Sequence, residues 1–196
     1  MPRQARQLVD GGYYHIITRG IDRRRLFRYF KDYQFFLEVI TKYLSKFKVA
    51  ILHYCLMSNH VHLLVKVERK DDLPKFMQGI LQVYASYFRK KYKSVGFVFQ
   101  NRYKSRLIDN DNYLIECGRY IERNPLRENI ITDLSTYRWS SFLFYAESNK
   151  DGIIKNANPL YLELAQTEKQ RQEHYRDYVC ISRPYEDIID KALRIN

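Results

Sequence analysis

Two histidines one residue apart, His60-Val61-His62, sit in a stretch of Val and Leu directly after the turn-favouring pair Ser58–Asn59. On a β-strand, side chains i and i+2 point to the same face, about 6–7 Å apart. Both imidazoles can then address a single metal ion, although the same short motif also describes two half-exposed histidines on a sheet. A second constellation lies further along. Tyr120 and Asn124 are four residues apart and share one face of a helical stretch, with Glu116 a turn earlier, Arg127 close by and Tyr113 seven residues before Tyr120. Its plainer reading is a core tyrosine, with Asn124 closing the helix ahead of Pro125. The third is the run Tyr84–Arg106, which carries seven Lys or Arg and no acid, interleaved with Tyr and Phe. Cations for phosphates and rings for bases suit a single-stranded nucleic-acid groove. A solvated helix end followed by a core strand has the same composition. Arg23, Arg24 and Arg25 form another cationic cluster.

These groups ride on a chain of 196 residues with 34 Lys or Arg against 22 Asp or Glu, a net charge of +12. The excess is uneven: residues 1–150 hold 27 basic and 14 acidic side chains, residues 151–196 hold 7 and 8. A basic body with a near-neutral tail points to a polyanion partner on the body, against the alternative of a generic basic surface. Hydrophobic residues at 45% exclude wholesale disorder, and 7 Gly with 5 Pro exclude collagenous and low-complexity classes. No apolar run approaches the length of a membrane span, and the opening MPRQARQLVDGGYYH lacks the apolar core of a secretory signal. Cys55, Cys117 and Cys180 are far apart and form no CxxC pair, which argues for reduced thiols in a cytoplasmic protein.

The elements that must position these residues follow from periodicity. Tyr13–Arg19 reads as a strand and Gly20–Arg28 as a basic loop. Lys31–Lys46 has helical spacing with Asp32 as its N-terminal cap, and Val49–Met57 with His60–Val67 forms a hairpin turned at Ser58–Asn59. Leu73–Tyr92 is a helix with a basic C-terminal end. Tyr103–Ile108 is a short strand, and Asn112–Arg123 a helix that Pro125 terminates or kinks. The order β-α-β-β-α-β is ferredoxin-like. The expected class is α+β, an antiparallel sheet with helices packed on one face, in a domain at 1–145. Residues 146–196 form a C-terminal helical appendage, with helices in 158–180.

The segments HYCLMSNHVHLLV, FVFQNRYKSRLIDNDNYLIECGRYIERNPLRENI and YRWSSF, in that order, resemble the REP-associated tyrosine transposases. These are bacterial relatives of the single-strand transposases with an HUH motif, whose bulky apolar U is Val61 here. The opening GGYYHIITRGIDRRRLFR matches the family's start, so the resemblance covers about residues 10–145, with an echo in LYLELAQTEKQRQEHYRDYV. It implies His60 and His62 as metal ligands and Tyr120 as the nucleophile, with Tyr113 as the competing tyrosine. Asn124 stands where related enzymes place a third ligand, usually Gln. It implies a divalent ion, Mg or Mn, and a single-stranded or hairpin DNA substrate of the repetitive extragenic palindrome class. A homodimer and a cytoplasmic, nucleoid-associated setting are further expectations. The basic residues expected on DNA are Arg19, Arg23, Arg24, Arg25, Arg89, Lys90, Arg102 and Lys104.

The chemistry expected is cleavage and joining of DNA through a 5′-phosphotyrosine. A phenol is largely protonated at neutral pH, so its attack on a phosphodiester needs a cation to neutralise developing charge. Three rivals stand beside it. A non-catalytic, sequence-specific DNA-binding protein derived from a transposase would not need His60, His62 and Tyr120 together. An RNA-binding module would need an aromatic sheet face where the histidines stand. A two-histidine phosphoesterase would need two HxT or HxS repeats, and this chain has one HxH.

Overall fold

The structure, a computed structural model, describes residues 8–183. Residues 1–7 and 184–196, the outer ends of the expected 1–145 and 146–196 division, lie outside the described residues. The chain runs β1 (Gly12–Arg19), α1 (Phe30–Leu44), β2 (Val49–Leu56), β3 (His60–Val67), α2 (Asp72–Tyr92), β4 (Lys104–Ile108) and α3 (Asp111–Glu122). The four strands form one antiparallel sheet in the order β2-β3-β1-β4. This is the α+β, ferredoxin-like order that the sequence predicts.

Alternation along the strands sends their side chains to two dry faces. On one, Tyr14, Ile16, Val61, Leu63 and Val65 meet Phe36 and Ile40 of α1 and Phe76, Ile80, Tyr84 and Phe88 of α2. On the other, Cys55, Leu64 and Ile108 meet Leu114, Cys117, Tyr120 and Ile121 of α3. The two helices of the ferredoxin-like unit thus share one face, and α3 takes the other. Burial on both sides explains why β2 and β3 read as almost continuous apolar runs.

α1 begins one residue before the predicted start, and Asp32 lies within its first turn rather than at the cap. The carboxylate reaches back to accept the N–H groups of Arg28 (2.8 Å) and Tyr29 (2.9 Å). From α2 it also accepts Tyr87 Oη (2.9 Å), Lys91 Nζ (2.5 Å) and Tyr92 Oη (2.6 Å). Burial by itself would push this carboxyl up. The bonds from Lys91, Tyr92 and the two backbone amides override it and hold the group at about 2. Asp32 therefore ties the start of α1 to the end of α2.

The β2–β3 turn is anchored to the basic loop. Met57 N donates to His60 O, Ser58 O accepts Leu26 N and Phe27 N, and Asn59 O accepts Gly20 N. Gly20 is required there, because a Cβ would collide with the Arg24 carbonyl.

Beyond α3 come α4 (Asn124–Arg127), α5 (Phe142–Glu147), α6 (Pro159–Leu162) and α7 (Glu168–Cys180). Pro125, in the first turn of α4, marks the break after α3. α7 grips α3 from outside. Arg119 donates to the carbonyls of Tyr178 (2.8 Å) and Ile181 (2.7 Å), Arg123 to those of Val179 (2.5 Å) and Cys180 (3.1 Å), and Arg183 to Glu116 Oε1 (2.6 Å). Beneath lies a buried polar knot. The fully buried Glu122 accepts Ser141 Oγ (2.5 Å), Tyr175 Oη (2.7 Å) and His53 Nδ1 (2.9 Å), and His53 Nε2 accepts Asn158 Nδ2 (3.0 Å). Among the described residues, no helix is long and apolar enough to cross a membrane.

Two outcomes follow from these packing devices. Asp32 is depressed in the folded chain relative to an ordinary carboxyl at 3.8, so its stabilisation is complete above about pH 4 and fades as pH falls toward 2. Asp32→Asn should lower stability at neutral pH and remove part of the acid dependence between about pH 4 and 2, read by urea melts across that range. Gly118 lies against His53, where a Cβ would stand 2.7 Å from the imidazole. Gly118→Ala should cost about 1–3 kcal/mol in the same melts, and an unchanged midpoint would contradict the packing of α3 on His53.

Candidate active site

Register places the two histidines. His60 lies opposite Arg19 and His62 opposite Ile17 across the β1–β3 ladder, so both imidazoles point to the α3 face. Their ring centroids are 4.9 Å apart, in a T-shaped arrangement. Each ring has its Nδ1 occupied. His60 Nδ1 donates to Asn59 Oδ1 (2.6 Å), and His62 Nδ1 shares a hydrogen bond with His15 Nε2 (3.0 Å). Nε2 is the remaining nitrogen of each ring, and in the His15–His62 pair the donor is set by the tautomer. Hydrogen-bonding the far nitrogen of a ligating histidine fixes its tautomer and aim.

Both rings are held neutral. Burial, reinforced by the Arg19 guanidinium, lowers His60 to about 4. Burial, with His60, His15 and Arg127 as neighbours, takes His62 well below the usual histidine range. At pH 7 each therefore offers a lone pair, the form that binds a metal ion. Among the described residues, no three His, Cys, Asp or Glu side chains are gathered closely enough to hold an ion by themselves.

α3 brings Tyr120 to these rings. The phenol is 6% exposed, with its ring edge-on to His15 (centroids 5.6 Å) and His62 (5.8 Å). Arg127, from α4, lies over the Tyr120 face at 4.7 Å from its centroid. Tyr113, one helical repeat earlier, is 43% exposed near the start of α3. Asn124 is buried, and its Nδ2 donates to the carbonyls of Tyr120 (2.8 Å) and Ile121 (3.1 Å), closing the last turn of α3. Its Oδ1 is the atom of that amide with ligand chemistry. Glu128, just past α4, sets Oε1 at 3.8 Å from His60 Nε2. Its carboxyl is raised by burial, with Arg127 acting in the opposite direction.

The basic residues divide into groups. Arg19, Arg102 and Lys104 line one cavity of about 250 Å³ with Ile17, Thr18, Gln100 and Asn101, beside the strand end that pairs with His60. Arg19 Nε is oriented there by Gln100 Oε1 (3.0 Å). Lys104 and Arg106 lie opposite Ile17 and His15, so the histidine face of the sheet has a cationic edge. Arg23 and Arg25 are exposed, whereas Arg24 donates to Ser94 Oγ (2.7 Å) and ties the first loop to the segment after α2. Arg89 and Lys90 are exposed on the last turn of α2, which packs on the opposite sheet face from the histidines.

His15, Gln100 and Glu128 are missed by the sequence reading. His15 is a lone histidine in a strand, and only pairing β1 with β3 reveals its place. Glu128 closes the four-residue α4, which is too short for periodicity to assign a direction.

The sequence matches the family described as "Transposase IS200 like" over residues 8–124. A protein of Haemophilus influenzae named as a REP-associated tyrosine transposase is 26% identical over 165 residues, spanning 72% of this chain and 86% of the relative. The solved structure of a REP-associated tyrosine transposase bound to a REP hairpin superposes with a TM-score of 0.65 at 18% identity, covering 80% of this chain and 92% of that one. At that identity the likeness establishes the fold. The match over more than half its length, on a sheet that carries the paired histidines opposite Tyr120, makes this chain a member of the IS200-like transposase family.

Proposed function

We propose that this protein cleaves and rejoins single-stranded DNA flanking a hairpin, through a phosphotyrosine on Tyr120. The observation that carries this reading is the Tyr120 ring packed edge-on against His62 and His15. A nucleophile belongs beside the groups that neutralise the charge its attack creates.

In the forward step the Tyr120 oxygen forms a bond to phosphorus and gives up its proton. The bond from phosphorus to the 3′ oxygen breaks, and that oxygen takes a proton, leaving a 5′-phosphotyrosine and a 3′-hydroxyl. Attack of another 3′-hydroxyl reverses the step and joins two strands without nucleotide hydrolysis. His60 and His62 present neutral Nε2 atoms suited to hold Mg or Mn, with Asn124 the amide that the family places near them. When bound, the ion supplies polarisation of a non-bridging phosphate oxygen. Arg127, over the phenol ring, steadies it. Arg19, Arg102 and Lys104 hold the strand beside the histidines, and Arg23, Arg25, Arg89 and Lys90 extend the contact over the basic body. The substrate proposed is a hairpin of the kind bound by the structural neighbour. Residues 1–145 form the DNA-processing domain in this reading, and the α6–α7 region serves as the brace behind α3.

Labelled hairpin oligonucleotides with single-stranded flanks test the assignment. With manganese, wild type should yield a covalent protein–DNA band on denaturing gels. Tyr120→Phe should bind the hairpin within about twofold of wild type and yield none, a loss of more than about 1000-fold in adduct, whereas Tyr113→Phe should form it. A wild type that binds hairpins yet forms no adduct with either Mg or Mn is a DNA-binding protein without this chemistry.

Charge reversal at Lys104 or Arg102 should weaken binding of the single-stranded flank and reduce its salt slope by about 0.7 for each phosphate no longer neutralised. Salt titrations of affinity with the same slope for mutant and wild type would assign the cavity cations to a solvated surface.

A further inference from the structure

We propose that Phe97 is a stacking post for an unpaired base of the single-stranded DNA flank. This deepens the reading above, in which the flank lies along Arg19, Arg102 and Lys104, and it rests on that reading.

Val95 and Phe97 are the two most exposed large apolar side chains among the described residues, at 92% and 79%. One exposed apolar side chain is ordinary on a protein surface. Here the backbone is built to hold the ring outward. α2 ends at Lys93, whose left-handed backbone (φ 49°) turns the chain, and Gly96 turns it again with φ 82°, a conformation that any side chain would strain. Directly after Phe97, Val98 is 2% exposed and its carbonyl accepts Ile21 N (3.0 Å). Phe99 bridges to Gly20, and Gln100 N donates to Arg19 O (2.9 Å). On the other side of Phe97, Ser94 Oγ accepts Arg24 Nη1 (2.7 Å). The segment is thus pinned before and after the ring, so stacking on it costs little further ordering.

Charge selects the occupant. The loop Gly20–Arg28, to which the segment is tied, carries four Arg against the single acid Asp22, and Arg23 and Arg25 are exposed on either side of the tie at Arg24. Lys90 and Lys93 are exposed on the approach from α2. An apolar ring set among cations fits a polyanion that itself carries flat rings, which is a nucleic acid. Position selects the strand. Gln100 lines the cavity of Arg19, Arg102 and Lys104, and the three residues back to Phe97 span at most about 11 Å. The post therefore stands within a short reach of the proposed flank track. A paired base is already stacked on its neighbours and must be unstacked at a cost before a ring can enter. An unpaired base offers its face freely.

Equilibrium binding of the full-length protein to hairpin oligonucleotides, with and without a single-stranded flank, tests this. Phe97→Ala should weaken binding of the flanked hairpin by about 5- to 150-fold. Its salt slope should not change, because no charge is lost, and its thermal melt should match wild type. Phe97→Trp should stay within about threefold of wild type, whereas Phe97→Leu should fall with Phe97→Ala. A blunt hairpin without a flank should bind wild type and Phe97→Ala equally. Replacing flank nucleotides one at a time by abasic sites should reveal one position where wild type loses affinity and Phe97→Ala loses nothing more. Flanked-hairpin affinity within twofold of wild type in Phe97→Ala or in Phe97→Leu overturns the post. So does an equal loss on the blunt hairpin, or a loss that persists at every abasic position. Each of these leaves the DNA reading and the Tyr120 chemistry standing, to be decided by the adduct assay. A wild type that binds neither hairpin overturns both.

Discussion

Eight consecutive residue pairs register β1 against β3, from Gly12 opposite Val67 to Arg19 opposite His60. The site depends on this ladder. Strand side chains repeat every two residues, so a slip of one position would turn either strand's polar set into the apolar layer beneath α1 and α2. With the register as it is, His15 reaches His62, Arg19 comes beside His60, and the cations of β4 line the same face. The hairpin tip cannot drift, because the Ser58 and Asn59 carbonyls are tied to Leu26, Phe27 and Gly20. Burial on both faces supplies the cohesion, and hydrogen bonds at the turn fix the last few ångströms.

The second half of the site arrives on α3, and the positioning of that helix is polar. Glu122, two residues after Tyr120, is fully buried and satisfied by Ser141, Tyr175 and His53. A buried carboxylate lacking a partner is costly, so the network accepts few alternative placements of α3. Arg119 and Arg123 add bonds to the carbonyls closing α7, which complement that helix's negative end. The C-terminal region is therefore a structural counterpart of the nucleophile's helix, although it is far from Tyr120 in sequence.

The long helices were legible in the sequence because each buries a periodic apolar face, and β2 and β3 because they are almost continuous apolar runs buried on both sides. His60 and His62 stood out because two residues on a strand are also neighbours in space. Tyr120 and Asn124 stood out because four residues on a helix share a face. What depends on long-range pairing was hidden. Asp32 reads as a cap from local sequence, yet its partners Tyr87, Lys91 and Tyr92 come from α2, about 55–60 residues on. The knot of His53, Glu122, Asn158 and Tyr175 joins segments with no common local pattern. His15 needed the β1–β3 register, and the grouping of Arg19 with Arg102, Lys104 and Gln100 needed the β1–β4 pairing. Asn124, placed by the family pattern among the ligands, has its amide nitrogen engaged at the end of α3.

In the proposed reaction the phenol held against His62 and His15 becomes joined to DNA. Peptide mapping by mass spectrometry reads that bond directly, on wild-type protein after reaction with a hairpin oligonucleotide and nuclease trimming. The expected product is a nucleotide phosphate attached to the peptide containing Tyr120, on the tyrosine itself. Attachment to Tyr113 or to any other residue would contradict the assignment.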